Sequence, residues 1–444
     1  MRIAVIGGGL GGLSAAHALV EAGFDAHVLE ASERAGGVIQ TSTVDGFVRE
    51  HAASSFLGAP ARGARALCER LGVPVEKASA RAKRRWIYID GKLRAVPRNP
   101  VELVRSDLMT WRGKLDLLRE PFRPARGEHD ESVHAFAARR FGAEAARSIV
   151  APFVTGIFAA DAHDISLEAG FPRLAELDAA GGIVRGTARQ AGKALVRRLA
   201  GGKRQRTPAG LFAPKGGVGA LVDGLVAKLG GRIHTRRRIS ELAPAANSVR
   251  VDGEVWDAAV LAVPAQDAAS IVGPVPHLAS RLAAFDRAPA ALVYLGYPES
   301  AVPKAIDGFG FLTALGEDLR VLGVVFESIV WPGRAPVGQL LLRCIFGGGR
   351  DPLATGLSDE ALIGHAVHDI EKVLGATGTP THTSVVRWQR GIAQYPLGHR
   401  DLVRSAVAAA RTHRIVLAGA DYRGPGVNDL CADADVIVDE VRSW

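Results

Sequence analysis

The chain opens on Met1-Arg-Ile-Ala-Val-Ile-Gly-Gly-Gly-Leu-Gly-Gly12, an apolar run that passes directly into glycines. Gly7, Gly9 and Gly12 satisfy G-x-G-x-x-G, with Gly11 inside the same turn. The flanks supply the context this spacing needs: a strand before it, a helical stretch from Leu13 to Glu21 after it, and a second strand, 26–29, ending in Glu30. Gly7 permits a tight turn, Gly9 lets backbone approach a pyrophosphate, and Gly12 lets the helix pack on the strand. The helix N-terminus offers free N–H groups and the positive end of its dipole to phosphates. Glu30 lies 18 residues beyond Gly12, close to where a ribose-binding acid is expected. A glycine turn without a ligand is the competing reading, and the acid at the end of the second strand weighs against it.

The residues just after Glu30 decide between dinucleotides. Ala31-Ser-Glu-Arg-Ala-Gly-Gly37 places Arg34 and the doublet Gly36-Gly37 immediately after the second strand. A second glycine doublet allows another close backbone approach, with a cation near the phosphates. This combination resembles the FAD-binding oxidases of the amine oxidase superfamily. Glu30 would repel a 2′-phosphate, which argues against NADP. FAD is the expected cofactor.

A chain of 444 residues exceeds one simple core and predicts two or three domains. Cys68, Cys344 and Cys431 are scattered without metal-ligand spacing, which argues against a disulfide framework and a zinc site and makes them small buried hydrophobes. The apolar start is broken by glycines too early for a signal peptide, and no run of 18 uncharged apolar residues exists, so a cytoplasmic or peripherally attached protein is expected. The net charge of +9 is local in origin. Arg185, Arg189, Lys193, Arg197, Arg198, Lys203, Arg204 and Arg206 fall in one stretch without an acid, and the first four form a helical stripe. Such a stripe suits an anionic membrane or a polycarboxylate substrate, or is simply a solvated face. Nucleic acid is a poor partner, since aromatics do not interleave the basic residues.

Organisation along the chain is discontinuous. Trp86–Ile89, Asp90-Gly91 and 92–96 read as a hairpin; 97–207 reads as mostly helical; strand signals return at 232–235, 248–251 and 256–264. Arg414–Gly419 reads as a late strand, and the loop 419–429 leads into a helix starting near Leu430, whose N-terminus would face the flavin's pyrimidine end. The expected fold is α/β: a Rossmann-like FAD-binding domain assembled from 1–82, 207–275 and 401–444, a mixed-sheet substrate domain from 83–96 and 276–400, and a helical membrane-associating domain from 97–206.

Further segments extend the resemblance along nearly the whole chain. Glu50, Ser55-Phe56, Lys83–Tyr88, Thr155–Ala159 with Asp161, Gly216-Gly217, Asp307–Leu312, Arg387-Trp388, Gly391-Ile392, Gln394-Tyr395 and Leu397–His399 join the FAD motifs. Together they resemble the protoporphyrinogen/coproporphyrinogen oxidase family. The resemblance implies that Arg85 pairs with a propionate of a tetrapyrrole, and that Phe309, Gly310, Leu312 and Ile345 wall the pyrrole rings. It implies that Ile239 holds adenine through its backbone, Trp388 lines the flavin, and Gly419, Ala420 and Val427 lie near it. Departures fall at His51-Ala52-Ala53, where the family carries Gly-Pro, at Ala160 in place of glycine, and at Pro425, which removes a backbone N–H. They bear on FAD affinity more than on fold.

The chemistry has its own argument. One fingerprint is present, so the substrate itself is expected to reduce the flavin, with dioxygen as outlet. No Ser-His-Asp, Cys-His or metal cluster stands out, and none is needed: the cofactor supplies the hard step and the protein supplies orientation and water exclusion. Catalytic side chains are therefore not expected. The expected reaction is FAD-dependent six-electron oxidation of protoporphyrinogen IX to protoporphyrin IX, giving hydrogen peroxide, by a monomer or homodimer. Coproporphyrinogen III is the nearest rival substrate. A short connection between Pro97 and Asp107 favours the first. Other classes are an amine- or carotenoid-type oxidoreductase, for which Lys304 is the only nearby lysine, and a flavin-binding protein without turnover.

Overall fold

The computed structural model describes residues 1–58, 63–124, 129–189, 192, 210–303 and 307–444. At its centre lies a parallel sheet of five strands in the order Ile233–His234, Asp25–Leu29, Arg2–Ile6, Ala258–Leu261, Ile415–Leu417. Strands from the start, middle and end of the chain thus hydrogen-bond side by side. Ile3, Ala4, Val5 and Ile6 are all buried, because a parallel strand covered on both faces is apolar on both. Helices Leu10–Glu21, Gly219–Leu229 and Val427–Arg442 pack on one face. The other face carries a three-stranded antiparallel ladder and helices Ala265–Ile271, Pro276–Ala283 and His399–Arg411.

The strand expected from Trp256 to Pro264 is two elements. Glu254–Trp256 belongs to the ladder and Ala258–Leu261 to the sheet. Between them the Asp257 carboxylate accepts the Arg2 N–H at 2.6 Å, and the Asp257 N–H donates to the Arg2 carbonyl at 2.9 Å. This exchange carries the chain from one layer to the next.

A second sheet has seven strands, in the order His382–Ala393, Arg287–Pro298, Gln339–Gly347, Gly323–Phe326, Gly310–Thr313, Trp86–Ile89, Lys92–Ala95. The expected hairpin is its edge, with Asp90 (φ 52°) and Gly91 (φ 69°) both left-handed as a type I′ turn requires. Helix Asp359–Leu374 covers one face, packing on residues such as Val293, Leu295 and Phe346. The opposite face packs Leu292, Tyr294 and Leu341 on Phe47, which belongs to a separate two-stranded hairpin, Thr41–Val44 with Phe47–Glu50.

Helices from Pro100–Arg105 to 183–189 form a third body. Its interior is tied by charge. Arg140 and Asp178, both fully buried, pair through Nε, and the Glu120 carboxylate accepts the Ile183 and Val184 N–H groups at 2.7 and 3.2 Å, capping helix 183–189. Of the basic stripe, Arg185 and Arg189 are described and exposed; Lys193, Arg197, Arg198, Lys203, Arg204 and Arg206 lie outside the described residues, as does Lys304. The three cysteines are free and buried, and burial pushes the Cys68 and Cys431 thiols up to about 12. No helix among the described residues is long and apolar enough to cross a membrane.

Candidate functional site: a dinucleotide cradle facing an apolar sheet

The glycine turn has the shape its spacing predicts. Gly7 adopts φ +106°, and a Cβ there would lie 2.7 Å from the Ala262 carbonyl oxygen. A Cβ on Gly12 would lie 2.0 Å from the Gly7 carbonyl oxygen. At Gly9, by contrast, a Cβ would meet nothing within 4 Å, so the turn opens there onto free space. Gly36 bridges to Gly9, its N–H donating to the Gly8 carbonyl at 2.7 Å, and a Cβ on Gly37 would lie 3.1 Å from the Gly9 Cα. The two glycine groups are therefore one cradle. Glu30 borders it: one carboxylate oxygen accepts the Gly8 N–H at 2.6 Å and the other accepts the Ser32 N–H at 2.8 Å. Arg34 lies beside Gly36, where its Nη1 would be 3.3 Å from an added Cβ. Ile239 is buried with Leu29 beneath the same sheet end.

The C-terminal loop reaches this cradle from the far end of the chain. A Cβ on Gly11 would lie 3.5 Å from the Gly419 Cα, and Gly419 itself (φ +116°) faces open space. Ala420 follows, its carbonyl accepting the Tyr395 hydroxyl. The last helix begins at Val427, three residues before the expected Leu430, because the Asp429 carboxylate accepts the Gly426 N–H at 3.1 Å while the Asp429 N–H donates to the Gly426 carbonyl at 3.0 Å. That reciprocal cap starts the helix early. Pro425 stands between Gly424 (φ +123°) and Gly426, which absorb the turn.

Accessible backbone at Gly9, glycines whose added Cβ atoms would clash, and an acid beside them fit a dinucleotide's pyrophosphate and ribose. Next to it lies the inner face of the seven-stranded sheet. Leu312, Gly323, Ile345, Leu292 and Val386 pair directly across five strands and so share that face. Trp388 shares it too, two residues beyond Val386, and donates Nε1–H to the His51 carbonyl at 2.6 Å. Gly310 (φ +150°) pairs with Val325, and a Cβ there would lie 2.0 Å from the Val324 carbonyl oxygen. At the strand's start the Arg85 guanidinium lies 5.4 Å from the Phe309 ring centroid. Burial pulls Arg85 below its ordinary pKa range, and no carboxylate pairs with it among the described residues. Leu312 also meets helix Ala151–Phe158, where a Cβ on Gly156 would lie 2.7 Å from its Cδ2. Ala160 is buried, its carbonyl bonded by the Thr155 hydroxyl at 3.1 Å.

Glu50 is marked by the resemblance, but the partners it meets escape a reading of the sequence. Glu50, Glu327, Arg334 and Arg343 form a buried network between the hairpin strand Phe47–Glu50 and the seven-stranded sheet. Arg334 donates to Glu327 at 2.8 Å and to Glu50 at 2.9 Å; Glu50 also accepts the Thr41 hydroxyl at 2.7 Å and the Val218 N–H at 2.9 Å. Arg343 Nε lies 3.0 Å from Glu327, and its Nη1 donates to the Ala52 carbonyl at 2.8 Å. Burial pushes the Glu50 carboxyl up against the pull of Arg334. The network therefore holds residues 50–54 in place, including the departures His51 and Ala52. A signal for it exists: Arg343 is the single charge in the apolar strand Gln339–Gly347, and a buried charge needs a partner.

Similarity to known proteins agrees with this geometry. Residues 10–429 match the family described as flavin-containing amine oxidoreductase. A spinach (Spinacia oleracea) protein named protoporphyrinogen oxidase 1 is 29% identical over 94% of this chain and 80% of its own length. A coproporphyrinogen III oxidase from Propionibacterium freudenreichii is 30% identical over 99% of this chain and 90% of its length. Among solved structures, a provisionally named protoporphyrinogen oxidase from Exiguobacterium superposes with a TM-score of 0.83 at 21% identity, covering 100% of this chain and 98% of its own. A putrescine oxidase variant reaches 0.72 at 17% identity, covering 100% and 99%, so the fold extends beyond porphyrinogen enzymes. With the cradle, the sheet order and these likenesses in agreement, the chain belongs to the flavin-containing amine oxidoreductase family and is an oxidoreductase that uses FAD.

Proposed function

We propose that the protein oxidises protoporphyrinogen IX to protoporphyrin IX, with dioxygen as acceptor and hydrogen peroxide as co-product. The observation that carries this reading is Arg85, a half-buried guanidinium without a partner among the described residues, set beside an aromatic ring at the end of an apolar face. A partly desolvated cation with no carboxylate partner among the described residues is costly unless an anion arrives to meet it, and a propionate is such an anion. From Leu312 to Ile345 the face crosses two strand spacings, roughly 10 Å, which matches a flat macrocycle better than a small amine. Porphyrinogen-oxidising relatives that cover nearly the whole chain support the same substrate class.

Bound in the cradle, FAD supplies hydride acceptance and its own reoxidation by dioxygen. The chain's residues do the rest. Gly7, Gly9, Gly11, Gly12, Gly36 and Gly37 admit the pyrophosphate, with Glu30 at the ribose and Arg34 as the nearby cation. Ile239 would serve adenine, while Trp388, Gly419, Ala420 and Val427 border the ring system. Phe309, Gly310, Leu312 and Ile345 orient the tetrapyrrole and exclude water, with Arg85 on a propionate. No side chain is needed as acid or base, because tautomerism of the pyrroles relocates the next hydride. We expect Arg85→Ala to raise KM for protoporphyrinogen about tenfold with kcat little changed, since a contact made equally in ground and transition states sets KM. Steady-state fluorescence of the porphyrin product checks this; an unchanged KM removes Arg85 from the site.

Coproporphyrinogen III is the second reading, favoured by relatives of that name that match end to end, as in Bacillus subtilis over 100% of this chain and 98% of theirs. Comparing kcat/KM for the two porphyrinogens decides between them, and a coproporphyrinogen preference overturns the first.

Peripheral attachment to an anionic membrane completes the proposal. Trp111, Leu115 and Leu118 share one face of helix Trp111–Leu118, and each is more than half exposed. Val101, Val104 and Phe122, the last 81% exposed, extend the patch, and exposed Arg105, Arg112 and Arg119 flank it. An apolar patch rimmed by arginines suits the boundary of an anionic bilayer. Leu115→Glu with Leu118→Glu should remove most binding to phosphatidylglycerol vesicles in co-sedimentation. Undiminished binding would transfer the contact elsewhere.

A further inference from the structure

Two loops border the fingerprint glycines, and a single carboxylate holds both. The first runs from Ala262 to Ala265, with Ala262 and Val263 against Gly7. The second begins at Gly419, against Gly11, and turns at once into the short helix Ala420–Arg423 that carries Asp421. Asp421, 2% exposed, accepts the Ala265 N–H at 2.8 Å and so ties the second loop to the first. Both of its oxygens then receive Arg287, from Nε at 2.8 Å and from Nη2 at 2.9 Å. This fork-on-carboxylate arrangement fixes orientation as well as charge.

Arg287 comes from the other body of the protein. It is the first residue of strand Arg287–Pro298, paired with Ala393 on the neighbouring strand. The same strand carries Ala290 opposite Trp388 and Leu292 opposite Ile345. One guanidinium therefore registers the substrate-facing sheet against both loops that flank the pyrophosphate bed. It also neutralises a carboxylate that is only 2% exposed, so without Arg287 a buried anion is left uncompensated beside the Gly419 turn.

We propose that Arg287 is a positioning residue for the cofactor: through Asp421 it holds the 262–265 and 419–421 loops in the geometry that binds FAD, and it links that geometry to the substrate-facing sheet. The proposal rests on FAD use and not on which porphyrinogen is oxidised, and its test needs no substrate. FAD released on serial dilution of the holoenzyme is followed by flavin fluorescence for the parent, Arg287→Gln, Arg287→Lys and Val293→Ala. Val293 lies in the same strand with its side chain in the core on the opposite face, so Val293→Ala is a control for plain destabilisation. The expected result is FAD affinity lowered about tenfold or more in Arg287→Gln and only a few-fold in Arg287→Lys, with Val293→Ala at the parent value despite a lower melting temperature. If Arg287→Gln retains parent affinity, or if Val293→Ala loses as much, the pair is a structural tie and the proposal fails. Should Arg287→Gln not fold, Arg287→Lys decides: a few-fold loss above the control supports the role, and equality with the control overturns it.

Discussion

Gly12→Ala is expected to abolish FAD binding and to destabilise the fold by about 3 kcal/mol or more, among the largest effects a single methyl can have. The reason is steric. A Cβ at this position would lie 2.0 Å from the Gly7 carbonyl oxygen and 3.0 Å from the Ala262 Cβ. Neither neighbour is the end of a flexible side chain. The carbonyl belongs to the turn itself, and Ala262 belongs to the loop after the central strand Ala258–Leu261. The helix must therefore lift off the sheet, carrying the Gly9 N-terminus away from the bed it borders. Gly9→Ala provides the contrast: the same methyl meets no protein atom within 4 Å, so it should leave stability near the parent value and yet weaken FAD by occupying its space. Chemical denaturation and flavin content, measured on both variants, separate the two effects. Equal stability losses would contradict this account of the turn.

Arg334→Met should cost about 3–5 kcal/mol, because it strips one partner from a buried charge network and leaves two carboxylates facing each other. Arg334 is 4% exposed and bonds both Glu50 and Glu327, which are 1% and 0% exposed. Arg343 remains, but it lies against Glu327 and the Ala52 carbonyl and does not replace the contact to Glu50. Burial already pushes the Glu50 carboxyl up, so losing Arg334 raises it further and favours the protonated form. The variant's deficit should accordingly shrink as pH falls through the raised Glu50 value and widen at neutral pH. Urea unfolding at two pH values tests both the size and the sign. A deficit that is small, or independent of pH, would place the network's weight elsewhere.

How much of this is legible in the chain depends on the kind of interaction. Gly7, Gly12, Gly36 and Gly37 act through backbone, and backbone constraint leaves a mark that composition and spacing reveal. The central strands are likewise readable, since burial on both faces demands unbroken apolar runs such as 3–6 and 258–261. Trp256 reads as part of the central strand because an apolar residue next to a run looks continuous with it; only the Asp257 exchange with Arg2 shows where the layer changes. The early start of the last helix depends on Asp429 reaching back to Gly426, a three-residue cap hidden behind Pro425. Most of all, the buried charges join residues far apart in the chain: Glu50 to Arg334, Asp421 to Arg287. Local pattern carries no information about such partners. Arg343 in its apolar strand announces that a partner exists, without saying which.

The central claim is that FAD in this cradle is reduced by a porphyrinogen bound on the inner face of the seven-stranded sheet. Anaerobic mixing of the purified holoenzyme with protoporphyrinogen IX tests it most directly, with the flavin absorbance recorded before and after air is admitted. The account predicts loss of the oxidised flavin bands as porphyrin fluorescence rises, then recovery of the flavin spectrum on exposure to dioxygen. Flavin that stays oxidised with protoporphyrinogen and bleaches with coproporphyrinogen III would contradict the substrate; flavin that stays oxidised with both would contradict the reaction.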